Sequence, residues 1–344
     1  MTIRAGIINV TGFAGLEAAR LLNSHPEAEL VAATGRSLAG QYLGDAFPHL
    51  QAVFGKTKIT ETIDVDVDII LSAMPTSESA KLCAPFCNVG TKVIDIAADF
   101  RLKNAEEYKT WFGTEHPHPE LLPSAVYGLP EINAEKIKKA SLIANPGCYP
   151  TATILALAPA IASGIINAPI IVDAKSGISG AGRGTGGGFN YSEVNEDVSA
   201  YRIGNHNHQP EMVQELSALQ KDTAEKLKIS FTPHLVPMTR GIHATCYAPL
   251  NSKISQHAID DLYSTYYEKS PFTYATTKPP HTKTTLGSNL CLVHPVIDER
   301  NDILVVSSVL DNLMKGAAGQ AIQNLNLLFD LPQASGLPNT SVWP

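Results

Sequence analysis

The stretch "IRAGIINVTGFAGLEAARLLNS", residues 3–24, runs from an almost wholly apolar segment through a glycine-bearing turn into a helical pattern. Residues 3–10 lack the polar alternation of a one-sided strand, so they predict a parallel strand covered on both faces. Beyond the turn, Glu17, Arg20 and Ser24 share one polar face while the remaining residues can pack, which predicts a helix. The turn itself, "NVTGFAG" (9–15), places Thr11, Gly12, Phe13, Ala14 and Gly15 where the pyrophosphate of a dinucleotide rests on helix N–H groups. Gly12 and Gly15 fill two positions of G-x-G-x-x-G, and Val10 stands at the first. Further strand-like runs follow in "ELVAA", "VDIILSA", "KVIDIAA" and "SLIA", with a helix in "SESAKLCAPFC". This alternation predicts an α/β fold that opens with a Rossmann-like, doubly wound parallel sheet. The second strand ends in "AATGRS" without an acidic residue for a ribose hydroxyl. Arg36 and Ser37 stand there instead, which suits a 2′-phosphate and hence NADP(H).

After residue 147 the texture changes. One helix, "TATILALAPAIA", precedes the β-rich runs "PIIVDAK", "SFTPHLV", "HATCYAPL", "CLVHPVI" and "ILVVSSVL", predicting an α+β domain with a mostly antiparallel sheet. A last helix, "NLMKGAAGQAIQNLNLLF", is expected to begin at Asn312 and return to the first domain. The expected division is therefore 1–147 plus 312–344 as an NADP-binding domain, with 148–311 as a catalytic and oligomerisation domain. Two domains suit a length of 344 residues.

An apolar fraction of 44% with 17% charged residues is that of a soluble globular chain. A formal charge of −7 argues against a broad nucleic-acid or acidic-membrane surface, and no apolar run reaches the roughly 18 residues of a membrane span. The amino terminus enters a strand at once, so no leader is expected. Five scattered cysteines read as reduced thiols of a cytoplasmic protein.

Cys148 lies in "ANPGCYPTAT" (144–153). Pro150 belongs in the first turn of the following helix, which puts Cys148 just before a helix N-terminus, where N–H groups and the dipole favour a thiolate. Cys83, Cys87, Cys246 and Cys291 read as inert packing residues. "NHNHQPEM" (205–212) offers His206 and His208 ahead of a helix opened by Pro210. They read either as a metal pair completed by His234, His243 or a carboxylate, or as the acid/base partner of Cys148. Against a metal, the pair is i, i+2 with no H-x-x-x-H or C-x-x-C beside it. Arg101, Arg183 in the glycine-rich "SGAGRGTGGG" (179–188) and Arg240 are candidate anion sites.

These strings, "NPGCYPTA", "SGISGAGR", "HNHQPE", "FTPHLVPMTRGI" and "DNLMKGAAGQAIQN", resemble the N-acetyl-gamma-glutamyl-phosphate reductases of arginine biosynthesis. "AGQYLGDAFPHL", "VIDIAADFRL" and "AVYGLPEI" extend the resemblance across nearly the whole chain. It implies NADPH-dependent reductive dephosphorylation of a small acyl phosphate, with Cys148 forming a thioester. His208 would be the general acid/base, with His206 nearer the substrate. It also implies cofactor contacts from Ser179, Gly180 and Asn312, substrate contacts from Arg101, Arg183, Arg240 and Glu211, no metal, and a homodimer or homotetramer. Two positions depart from the family: Asn9 where glycine is usual, and Thr76-Ser77 in place of a His-Gly pair. Asparagine is the next most tolerant residue of a left-handed backbone. The competing readings are reduction of another acyl phosphate (aminoadipyl or aspartyl), a Cys/His hydrolase, and an NADP-binding regulator without thiol chemistry.

Overall fold

In the computed structural model, which describes residues 2–184, 190–221 and 226–343, the opening stretch forms strand β1 (Ile3–Ile8) and a helix over Phe13–Asn23. Both faces of β1 are covered, as its composition requires: Ala5 and Ile7 are buried on one face, and Gly6 and Ile8 on the other. The strands β2 (Ala28–Thr34), β3 (Ile59–Thr60), β4 (Ile69–Ser72), β5 (Lys92–Asp95), β6 (Val126–Tyr127) and β7 (Leu142–Ala144) complete a seven-stranded sheet of order β3-β2-β1-β4-β5-β7-β6. Every pairing in it is parallel. The order reverses direction at β1, so the turn after β1 opens at the topological switch point, where open α/β sheets bind ligands. The five strands visible in the sequence are all present. The two-residue strands β3 and β6 extend the sheet at its edges, and segments so short carry no periodicity to read.

The chain divides into two compact units, Met1–Pro146 with Ala317–Leu337, and Gly147–Gly316 with Pro338–Pro344. The first unit includes the helix Gly319–Leu328, which is buried along its whole length. Its Asn324 Nδ2 donates to the carbonyl of Gly128 at 2.8 Å, and Asn326 Oδ1 lies 2.8 Å from His25 Nε2. The expected helical start at Asn312 needs correction. Asp311 Oδ1 accepts from the backbone N–H of Leu313 and Met314, a wide π-type turn spans Met314–Ala318, and regular α-helix begins at Gly319.

In the second unit, β8 (Ile170–Ser176), β9 (Ser199–Ala200), β10 (Ile229–Leu235), β11 (Ile242–Pro249), β12 (Thr273–Ala275), β13 (Cys291–Asp298) and β14 (Ile303–Leu310) form a sheet of order β12-β13-β14-β11-β8-β10-β9. Only the β8–β10 and β12–β13 pairings are parallel, so the sheet is mostly antiparallel. The helix Cys148–Ser163 lies against β11, β13 and β14, with Tyr149 to Ile161 all buried. A second helix, Gln256–Tyr267, was not expected from the sequence. Ser255 Oγ caps it by accepting from Ala258 N, and Ile259, Tyr263 and Tyr267 form its single buried row. The hydroxyls of Tyr263 and Tyr267 donate to the carbonyls of Ala156 and Leu155, tying the two helices together.

Candidate active site

The turn after β1 is built for close approach. Asn9 takes φ +62°, the left-handed conformation that glycine or asparagine tolerates best. Its side chain is held at both ends: Nδ2 donates to Ala73 O at 2.8 Å, and Oδ1 accepts from Thr11 Oγ1 at 3.1 Å. Gly12 is the N-cap of the Phe13–Asn23 helix and supplies no side chain to the first-turn N–H groups. A Cβ on Gly15 would lie 2.5 Å from Asn9 O, so only glycine fits there. Open N–H groups over a glycine cradle suit a phosphate. Arg36, at the end of β2, is exposed and pairs with Glu78 at 3.2 Å. Lys81 and then Arg36 hold the Glu78 carboxyl below the usual range. Glu78 follows the Thr76-Ser77 departure, where Ser77 has φ +71° and its N–H donates to Asp99 Oδ1 at 2.7 Å.

Cys148 is itself the first residue of its helix, not the residue before it, with Gly147 as N-cap in an extended conformation. The turn is pinned from below: Gly147 N donates to Glu211 Oε1 at 2.8 Å, and Glu211 is buried. Thr151 Oγ1 donates to Gly147 O at 2.8 Å. Gly316 lies against the cysteine on another side, since a Cβ there would come within 2.9 Å of Cys148 Cβ.

A cavity of about 360 Å³ opens on this sulfur, lined by Cys148 and Tyr149, by Tyr201 and Arg202, and by His206, Asn207 and His208, with Ser176, Gly180, Ala181 and Leu235 completing the wall. His208 is the N-cap of the helix Gln209–Ser217, and its backbone N–H donates to His206 Nδ1 at 3.1 Å. That bond fixes Nδ1 of His206 as the unprotonated nitrogen. His206 is buried among the rings of Tyr149, Tyr201, Phe231 and His208. Burial, with the Arg202 charge beside it, lowers its pKa to about 4. Tyr201 OH donates to Tyr149 OH at 3.3 Å, which in turn donates to His234 O at 3.2 Å. Burial raises the pKa of both phenols, Tyr201 to about 12.

Of the other residues expected at the site, Gly180 lines the cavity. Glu211 lies at the Cys148 turn, where its carboxylate accepts from Gly147 N. Arg101 is buried within the first unit, with Nε donating to Asn145 O and Nη2 to Ile96 O, each at 2.8 Å. Arg240 lies 3.5 Å from the buried carboxylate of Asp311. Asn312 Nδ2 donates to Ser179 Oγ at 3.0 Å and its Oδ1 accepts from Gly241 N at 2.7 Å, so its amide ties the end of β14 to the 177–180 turn. Arg183 is exposed, and residues 185–188 of the glycine-rich loop lie outside the described residues. Arg202, Tyr201 and Asn207 were not expected at the site from the sequence. A positive φ of +44° at Arg202 marks the spot, but dihedral angles are invisible in a single sequence. Among the described residues no three His, Cys, Asp or Glu side chains are grouped to hold a metal ion. No helix among them is long and apolar enough to cross a membrane.

Residues 4–140 match the family described as semialdehyde dehydrogenase, NAD binding domain, and residues 148–312 match semialdehyde dehydrogenase, dimerisation domain. The N-acetyl-gamma-glutamyl-phosphate reductase of Dehalococcoides mccartyi is 50% identical over 341 residues, covering 99% of each chain. The enzyme of that name from Brevibacillus brevis is 45% identical, covering 99% of this chain and 100% of its own. Among solved structures, aspartate semialdehyde dehydrogenase II from Vibrio cholerae shares the fold at a TM-score of 0.73 and 20% identity, over 96% of this chain and 99% of that one. At 50% identity across its full length, this chain belongs to the N-acetyl-gamma-glutamyl-phosphate reductases, within the semialdehyde dehydrogenase family.

Proposed function

We propose that this protein reduces N-acetyl-L-glutamyl 5-phosphate to N-acetyl-L-glutamate 5-semialdehyde and phosphate, a step of arginine biosynthesis. The observation that carries the reading is Cys148 at the first position of a buried helix, opening with His208 into one cavity. Backbone N–H groups at that helix end favour the thiolate. The sulfur attacks the acyl carbon, the carbon–oxygen bond to phosphate breaks, and a thioester forms on Cys148. Asn9–Gly15 of the first unit would hold NADPH, with Arg36 as the contact to its 2′-phosphate, and the bound nucleotide would supply one hydride, which carries both electrons to the thioester carbon. His208 passes a proton at the reacting oxygen, a role worth typically ~10²–10⁴ in rate. The collapsing hemithioacetal releases the aldehyde and restores the thiol. Glu211 acts here as a positioning residue, holding the Gly147 N–H and through it the approach of the sulfur.

The five scattered cysteines support a reducing, cytoplasmic setting. A match to a dimerisation domain supports self-association, and the sheet of the second unit offers a surface for it. On the face turned away from the helices, Ile171, Tyr247, Val305 and Val296 stand in register across four strands, and three of the four are exposed.

The test is the reverse assay with N-acetyl-glutamate semialdehyde, phosphate and NADP⁺. Wild type should generate NADPH, Cys148→Ala should not, and NAD⁺ should serve markedly less well. Silence from wild type sinks the reading. Full activity in Cys148→Ala sinks the mechanism, and equal use of NAD⁺ removes the role given to Arg36.

A further inference from the structure

Among the described residues, the cavity around Cys148 has one permanently charged side chain on its wall, Arg202, and no carboxylate. Of the other arginines discussed above, Arg36 pairs with Glu78, Arg240 with Asp311 and Arg101 with two backbone carbonyls, while Arg183 is exposed and does not line the cavity among the described residues. No such partner among the described residues takes the Arg202 guanidinium. Its neighbour across the wall is His206, which stays neutral in its cage of rings.

The backbone at Arg202 is also unusual. It takes φ +44°, a region unfavourable for an L side chain, and it is held there from both sides. On one side, β9 pairs with the end of β10 and Tyr201 N donates to Pro233 O at 3.1 Å. On the other, Asn205 N donates to Arg202 O at 3.1 Å, and Gly204 completes the turn at φ +70°. A strained, bracketed backbone that sends an arginine to the wall of a nucleophile's cavity is the geometry expected of a ligand contact. The planar fork of a guanidinium matches the paired oxygens of a carboxylate or phosphoryl group.

We infer that Arg202 is the anion-binding residue of the Cys148 cavity, holding a carboxylate or phosphoryl group of the substrate. The identity of that substrate rests on the function proposed above, but the anion site itself does not. Two measurements separate them. The first is alkylation of Cys148 by iodoacetate and by iodoacetamide, reagents alike except for charge. Wild type should favour the anionic reagent, Arg202→Gln should lower the iodoacetate-to-iodoacetamide rate ratio by roughly ten-fold, and Arg202→Lys should restore part of it. The second is the reverse assay. There Arg202→Gln should raise one KM by roughly ten- to a hundred-fold, with kcat less affected and the KM for NADP⁺ unchanged. A rise for inorganic phosphate assigns the phosphoryl group, and a rise for the semialdehyde assigns the carboxylate. An unchanged alkylation ratio in an Arg202→Gln protein that melts like wild type would overturn the inference. A changed ratio beside an inactive wild type would keep the anion site and reject the proposed reaction.

Discussion

Two histidines two residues apart stand in different surroundings. His206 sits in a cage of four rings, and its Nδ1 already accepts a backbone N–H. With its pKa near 4 it is a weak base at neutral pH, poorly matched to proton transfer there. His208 lies at the open start of a helix on the cavity wall. Accordingly, His208→Asn should lower kcat by at least ~10², while His206→Asn should act mainly on stability; steady-state kinetics on both variants decide the matter. The stability effect has a definite sign. An unfolded histidine titrates near 6.5, so between there and about 4 the unfolded chain binds a proton that the folded chain refuses. His206 therefore weakens the fold as pH drops through that window, and urea midpoints at pH 7 and pH 5 should converge in His206→Asn. At this scale the sequence was informative about residue types. Cys148, the histidine pair and the glycines of the first turn were all legible from their neighbours in the chain. Arg202 and the bond from Gly147 to Glu211 were not, because they depend on residues brought together by the fold and on a backbone angle.

At the scale of elements, the Cys148–Ser163 helix sets the position of the sulfur, and its surroundings set the helix. Buried Glu211 accepts from the N-cap residue, and leaving that buried N–H without its partner would cost about 1–3 kcal/mol. The wide turn at Met314–Ala318 brings Gly316 against Cys148 so closely that a single added methyl cannot fit without movement. Gly316→Ala should therefore displace the thiol and depress kcat, with the KM for the pyridine nucleotide little changed. A variant with wild-type kcat would show that the turn yields instead. The parallel strands of the first unit were readable because strands buried on both faces are nearly continuous apolar runs. Gln256–Tyr267 escaped notice because its buried row is only Ile259, Tyr263 and Tyr267, and aromatic or β-branched residues in a β-rich region do not announce a helix. The wide turn at Met314 was hidden for a related reason: its small residues suit a regular helix equally well.

For the whole molecule, one sheet face in the second unit carries a row of apolar side chains in register. Ile171 is 51% exposed and Tyr247 38%, values a solitary chain has little reason to keep in one row. Sedimentation should find wild type as a dimer or larger species, and the double change Ile171→Glu with Tyr247→Glu should release monomers. A wild-type monomer at micromolar concentration would refute the assignment of this face. A net charge of −7 adds repulsion between separate molecules at neutral pH.

The distribution of sulfur has a practical consequence. Cys83, Cys246 and Cys291 are buried, and burial raises the pKa of Cys83 and Cys246. Burial also pushes the half-buried Cys87 up to about 11, leaving it almost entirely protonated at neutral pH. Only Cys148 combines an open cavity with a helix N-terminus. A charged thiol reagent at neutral pH thus becomes a census-taker: moles of label per mole of chain report the fraction of competent sites in any preparation, before a substrate is ever added.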